Sequence, residues 1–312
     1  MLQAIKPMKP LLAAALMLGN PAPLLAAGCG DHGIQLQVLG SGGPELDDQR
    51  ASSGYLVWQD GRGRVLIDLG PGSLLQYERS GARLNDLDVV LLTHLHVDHS
   101  ADLPALIKGS FFTDRRRDLP LYGPTGNRLM PPTSAFTRAM FATPDGAFRY
   151  LSDYLDGSGD YRLIGHDVPA DGREAHTVLD RDGLRLTAIP VHHGPVAALA
   201  WRVDIGDQSL VISGDMNGDW HTLERLAAGA GLLVAHHAIP EGATGVARNL
   251  HMPPSVIGDI ATKAAVKQLV LSHRMQRTLG REASATTEIR RRYAGPLSFA
   301  DDGQCFAVMP AE

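Results

Sequence analysis

An apolar run, Asp88-Val89-Val90-Leu91-Leu92, ends abruptly in Thr93-His94-Leu95-His96-Val97-Asp98-His99. This junction constrains the fold more than any other stretch, because a buried strand must deliver four metal-capable side chains to one place. Side chains alternate along extended backbone, so His94 and His96 share a face. Asp98 and His99 follow where the chain turns into Ser100-Ala101-Asp102-Leu103-Pro104, the start of a helix over 101–109. Asp102 is expected to cap that helix, whose first turn tolerates Pro104. Two imidazoles aimed together, with a His/Asp pair one step on, suit two adjacent metal ions better than one.

The same arrangement recurs. Leu184 to Val191 runs into His192-His193-Gly194-Pro195, Ser209 to Ser213 into Gly214-Asp215, and Gln268 to Ser272 into His273. Four apolar strands thus deliver His or Asp just past their C-terminal ends, where open α/β sheets place their ligand sites. Imidazole nitrogen and carboxylate oxygen suit zinc, with iron or manganese as alternatives. Two ions need a bridging carboxylate, and Asp215 is the natural candidate because Gly214 before it permits close backbone approach.

Elsewhere, short strands alternate with helical patterns at 101–109, 220–229, 254–266 and 282–293, and Asp60-Gly61 signals a hairpin. One α/β domain over 28–312 is the economical reading. Residues 110–165 stand apart in holding most of the Phe and Tyr residues; they read as an aromatic-rich insertion, either a lid or a subdomain packing on itself.

Residues 1–27 read as a secretory signal: Lys6 and Lys9 precede Leu11 to Leu18, and small residues end at Ala26-Ala27. That run is too short to span a bilayer, and no later one reaches transmembrane length. The protein is therefore expected to be periplasmic or secreted. Cys29 and Cys305 are the only cysteines; they pair in a disulfide, or Cys29 is an acylated lipid anchor. The net charge is -5, and Arg115 to Arg117 and Arg290 to Arg292 are locally offset by acids, so no footprint for a polyanion is visible.

The segment His94 to His99 resembles the HxHxDH motif of the metallo-β-lactamase superfamily. Further elements are similar to its ribonuclease Z and arylsulfatase-like branch: Gly40-Ser41-Gly42-Gly43-Pro44 with Arg50-Ala51-Ser52-Ser53, Ile67-Asp68-Leu69-Gly70-Pro71-Gly72, and Leu121 to Gly126. The resemblance implies a four-layer αββα sandwich. It implies that His94, His96 and His193 bind one metal and that Asp98, His99 and His273 bind the other, with Asp215 bridging. His193 rather than His192 keeps the family's spacing to Trp201-Arg202. Asp98 and His251 are the implied catalytic side chains, His251 assisting the leaving group.

One departure stands out. Where the family has His-Glu, this chain reads Ala235-His236-His237-Ala238, so His237 replaces the acidic partner expected for His251. The expectation is an exported dinuclear hydrolase of phosphodiesters, including cyclic nucleotides, or of sulfate esters, using a metal-bridging hydroxide. The alternatives are a lactone or β-lactam hydrolase, or a metal-binding sensor of the same fold with little catalysis. The charge balance and the export signal point to a small-molecule ester rather than a nucleic-acid polymer, and leave open whether the chain forms a homodimer.

Overall fold

The computed structural model describes residues 29–310, so the targeting segment expected over residues 1–27 lies outside the described residues. The strands are β1 (Ile34–Gly40), β2 (Gly54–Gln59), β3 (Arg62–Leu69), β4 (Val89–Leu91), β5 (Leu119–Pro124), β6 (Leu163–Val168) and β7 (His176–Arg181). They continue as β8 (Leu184–His193), β9 (Val196–Ile205), β10 (Gln208–Ile212), β11 (Leu232–His236), β12 (Leu269–Ser272), β13 (Leu297–Phe299) and β14 (Cys305–Ala307). Among the described residues they form two seven-stranded sheets, ordered β14-β1-β2-β3-β4-β5-β6 and β13-β12-β11-β10-β9-β8-β7.

Both sheets are mixed. The β1-β2-β3 meander is antiparallel, while β3 to β6 run parallel. In the second sheet β7 to β10 are antiparallel and β10 to β13 parallel. The Asp60-Gly61 hairpin turns with both residues at positive φ, 48° and 75°, the geometry that matches strand twist.

Period-two alternation sorts the apolar side chains into three seams. Val65, Ile67, Val89 and Leu91 meet Leu199, Trp201, Val234 and Val270 between the sheets. On the outer face of the first sheet, Leu66, Val90 and Leu92 pack with Leu103, Leu106 and Ile107 of the helix Leu103–Ser110. On the outer face of the second, Val211, Leu233 and Leu271 pack with Ile257, Ile260 and Ile289 of the helices Pro254–Lys263 and Glu282–Arg290. The result is the expected αββα order of layers, with apolar runs buried on both faces.

Two local expectations are corrected. Asp102 makes no side-chain cap to its own helix. Its Oδ2 instead accepts from Leu74 N at 3.0 Å, in the first turn of the helix Ser73–Arg79, tying two helices together. Residues 110–165 are not a detached insertion: they supply β5 and β6 to the first sheet. Phe141, Tyr154 and Tyr161 are buried there in the outer seam with Leu106, so these three serve the layer, while Phe111, Phe112, Phe148 and Tyr150 are exposed.

Cys29 and Cys305 form a disulfide with Cα atoms 5.6 Å apart. It fixes the start of the described chain to β14, the edge strand beside β1. A bonded sulfur cannot be acylated, so the lipid-anchor alternative is set aside.

Candidate metal centre

The C-terminal ends of β3, β4, β8, β10, β11 and β12 converge on one cleft. His94 Nε2 lies 3.0 Å from His96 Nδ1, and His193 Nε2 lies 3.4 Å from the same atom. Ligand atoms about 2.0–2.1 Å from a tetrahedral cation stand roughly 3.3–3.4 Å apart, so the spacing of these nitrogens fits one ion among them. His193 Nδ1 faces Leu250 O at 2.9 Å, which puts its proton there and leaves Nε2 free. His192 turns elsewhere, its Nδ1 lying 2.5 Å from Asn217 Nδ2 and its ring 5.3 Å from that of Trp220.

A second group lies alongside. His273 Nε2 is 3.2 Å from Asp98 Oδ2 and 3.3 Å from Asp215 Oδ1, and His99 Nε2 is 3.5 Å from Asp98 Oδ2. Asp215 Oδ2 is 3.7 Å from both His99 Nε2 and His193 Nε2, so this carboxylate stands between the two groups. Gly214 makes the position accessible: at φ 58° a Cβ there would sit 2.9 Å from Leu199 O and Thr93 Cβ. His251 joins from the other side, Nδ1 3.9 Å from Asp215 Oδ2. All seven residues expected as ligands, and His251, are therefore brought together, and all but His96 are buried.

Electrostatics suit a cation. Burial pushes His94, His96 and His193 below the ordinary histidine range, leaving their lone pairs free. Burial alone would raise the Asp215 carboxyl, but His273, His251, His236 and His99 hold it well below the usual range. Burial would lower His99 and His273, yet the adjoining carboxylates Asp98 and Asp215, with Asp68 at His99, raise both. Several carboxylates thus draw protons onto imidazoles where a metal would take their place. His99 Nε2 is moreover buried without a hydrogen-bond partner.

Two supporting residues carried no role in the sequence reading. Asp68 Oδ2 accepts from His99 Nδ1 at 2.8 Å, while its Oδ1 accepts from Thr93 N at 2.7 Å. This carboxylate fixes the His99 tautomer with Nε2 bare. Asp68→Asn should lower metal affinity about 10- to 100-fold, checked by competition with a chromogenic chelator. Asn tolerates the residue's positive φ of 57°, so folding should survive. The second residue is His236, at the end of β11. Its Nδ1 lies 2.8 Å from Asp215 Oδ1 and its Nε2 lies 2.9 Å from the Tyr55 hydroxyl. Burial pushes His236 down to about 4, so the neutral ring donates its Nδ1 proton and holds the carboxylate in place.

His237, the residue that replaces the family's acid, points away from Asp215. Its ring lies 6.1 Å from that of Phe299, and both ring nitrogens are buried without hydrogen-bond partners. Burial, then Arg274, pushes it from 6.5 down to about 4. The unfolded chain takes up this proton near pH 6.5 and the folded chain only near 4, so stability falls as pH drops through that window. The loss is about 3 kcal/mol at full extent. Denaturant titrations from pH 7 to 4 should show a shallower acid-side decline in His237→Leu than in the parent.

Comparison with known proteins decides the family. A model of the metallo-β-lactamase superfamily matches residues 47–256. The chain belongs to the metallo-β-lactamase superfamily. Within it, a ribonuclease Z of Mycobacterium sp. (strain KMS) is 31% identical over 290 residues, covering 89% of this chain and 97% of the relative. Human tRNase Z, short form, superposes with a TM-score of 0.66 at 19% identity, covering 88% of this chain and 99% of the other. A diphosphatase of the PhnP family gives 0.57 at 19% identity, covering 89% and 99%. This superfamily chain is a ribonuclease Z-like, metal-dependent hydrolase.

The relatives overturn one expectation. A small-molecule ester without a nucleic-acid polymer does not fit curated relatives named for cleaving RNA. Net charge sums the whole surface, and cations held in the cleft would add positive charge there, so the overall balance does not exclude a polyanion. Nor do these relatives support the sulfate-ester or lactam expectations.

Proposed function

We propose that this chain hydrolyses phosphodiester bonds in RNA with two divalent metal ions. His94 Nε2, His96 Nδ1 and His193 Nε2 would hold one ion; Asp98, His99 Nε2 and His273 Nε2 the other; Asp215 both. The nitrogen-rich ligand set suits zinc. The observation that carries the reading is the Asp215 carboxylate, 3.7 Å from a histidine of each group. When bound, such ions supply an ionised water at neutral pH and positive charge for phosphoryl oxygens.

The chain's own residues do the rest. Asp68 and Leu250 O orient His99 and His193, and His236 orients Asp215. His251 Nδ1 is buried without a partner beside Asp215. Burial pushes His251 down to about 3, so its ring is neutral at rest. An anionic phosphodiester beside it raises its proton affinity, so the ring can take up a proton from solvent and pass it to the departing oxygen. His251→Ala should lower kcat for RNA about 10²- to 10⁴-fold with metal content unchanged. Equal loss of metal and activity would remove the proton-transfer role.

The proposal includes export. The Cys29–Cys305 disulfide and the signal-like residues 1–27 support a periplasmic or secreted enzyme. Cell fractionation with N-terminal sequencing of the mature chain tests this; an intact residue 1 in a cytoplasmic fraction would contradict it.

A further inference from the structure

The turn that carries Asp215 and the segment that carries His251 are pinned to each other from both sides. Asn217, two residues past Asp215, is fully buried. Its Nδ2 donates to Asn249 O at 3.0 Å, reaching across to the residue two before His251. In the opposite direction, Arg248 Nη1 donates to Asn217 O at 3.0 Å, and Arg248 Nη2 to Asp219 Oδ1 at 3.2 Å. Asn217 is anchored at its own end as well: its backbone N donates to His192 O at 2.8 Å, and its Oδ1 accepts from Asp219 N at 3.0 Å. The next carbonyl along, Leu250 O, takes the His193 proton. Gly194 lets that strand end close in, since a Cβ there would lie 2.7 Å from Leu250 Cδ2.

We infer that Asn217 and Arg248 form a reciprocal latch that positions His251 against the leaving oxygen. This rests on the phosphodiesterase reading for its catalytic consequence, though not for the latch itself. The helix Gly245–Leu250 has no buried residues and is only six residues long. Short helices are marginal without tertiary support, so polar tethers must supplement the limited apolar packing of Leu250 beside Gly194 and of buried Met252 beyond His251. A displacement of about 1 Å at His251 is enough to cost a proton transfer much of its rate. Asp219 and His192 share the second Asn217 N–H, which stiffens the turn without touching His251.

Two variants test this. Asn217→Ala removes the buried strut, and Arg248→Ala removes the other from a half-exposed position where folding is not at risk. The first readout is hydrogen–deuterium exchange of metal-free protein: residues 245–251 should exchange faster in either variant, with the sheets unchanged. The second is leaving-group dependence in the metal-loaded enzyme. RNA, whose leaving oxygen needs a proton, should lose about 10- to 100-fold in kcat. Bis(p-nitrophenyl) phosphate, whose phenolate departs unaided, should change less than about twofold, with metal content equal to the parent. Combining Arg248→Ala with His251→Ala should add nothing on RNA beyond His251→Ala alone. Unchanged exchange at 245–251 overturns the latch, and equal losses on both substrates overturn its action through His251. A parent that cleaves neither substrate overturns the phosphodiesterase reading, and the exchange result still decides the latch.

Discussion

Replacing Asp215 with Ala should leave a folded protein with neither its full metal content nor hydrolysis of RNA. Asp215 lies within 3.7 Å of ligand atoms in both histidine groups. Its removal would take a shared ligand from the two ions these groups would hold, and takes the counter-charge from His99, His193, His251 and His273. Two-metal sites contribute several kcal/mol of transition-state stabilisation, so losing even about 4 kcal/mol lowers the rate roughly a thousandfold. The fold should persist, because the seams that hold the layers are apolar and lie below the strand ends. Plasma emission spectrometry on the variant, beside RNA turnover, checks this. Parent-like metal content with parent-like turnover would end the bridging assignment.

The second large effect is on stability. Changing both Cys29 and Cys305 to Ser opens a link between residues 276 apart in sequence. Loop-closure arguments put the loss at about 2–5 kcal/mol, or a fall in Tm of roughly 5–15 °C for a chain of this size. The edge strand it ties down is short: β14 is three residues long and pairs with β1 at Gln35, Leu36 and Gln37, flanked by backbone bonds from Val38 N to Gln304 O and Val308 N to Ile34 O. Just before it, Asp302 accepts from Ser41 N at 2.9 Å and Ala51 N at 2.7 Å, holding the loop whose Gly43 abuts His273. Scanning calorimetry of the double variant, with activity measured well below its Tm, should show lower stability but near-parent turnover. An unchanged Tm would mean that the bond adds nothing to the folded chain.

Much of this molecule was readable from residues alone, for definable reasons. A buried strand ending in His or Asp is a strong signal when it recurs, and His94, His96, Asp98, His99, His193, Asp215 and His273 do assemble at adjacent strand ends. The same signal marked Asp68 after Val65-Leu66-Ile67 and His236 after Leu233-Val234-Ala235. His236 was obscured by its neighbour His237, because choosing between adjacent residues needs the strand's facing, and period two reverses that with a one-residue shift. Asp102 shows a different limit: its position before a helix was evident, but the carboxylate found a donor in another helix distant in sequence. The aromatic content of 110–165 could not distinguish a lid from a sheet layer, since both demand large apolar side chains. Net charge gave no sign of the kinship with RNA-cleaving relatives, because positive charge for phosphates would come from the ions the cleft would hold.

The measurement that bears most directly on the central claim is RNA cleavage by protein of known metal content. About two divalent ions per chain, RNA hydrolysis that a chelator abolishes, and recovery on adding zinc are the predicted results. Protein that carries two ions yet leaves RNA intact, or cleaves it undiminished after complete metal removal, would contradict the account.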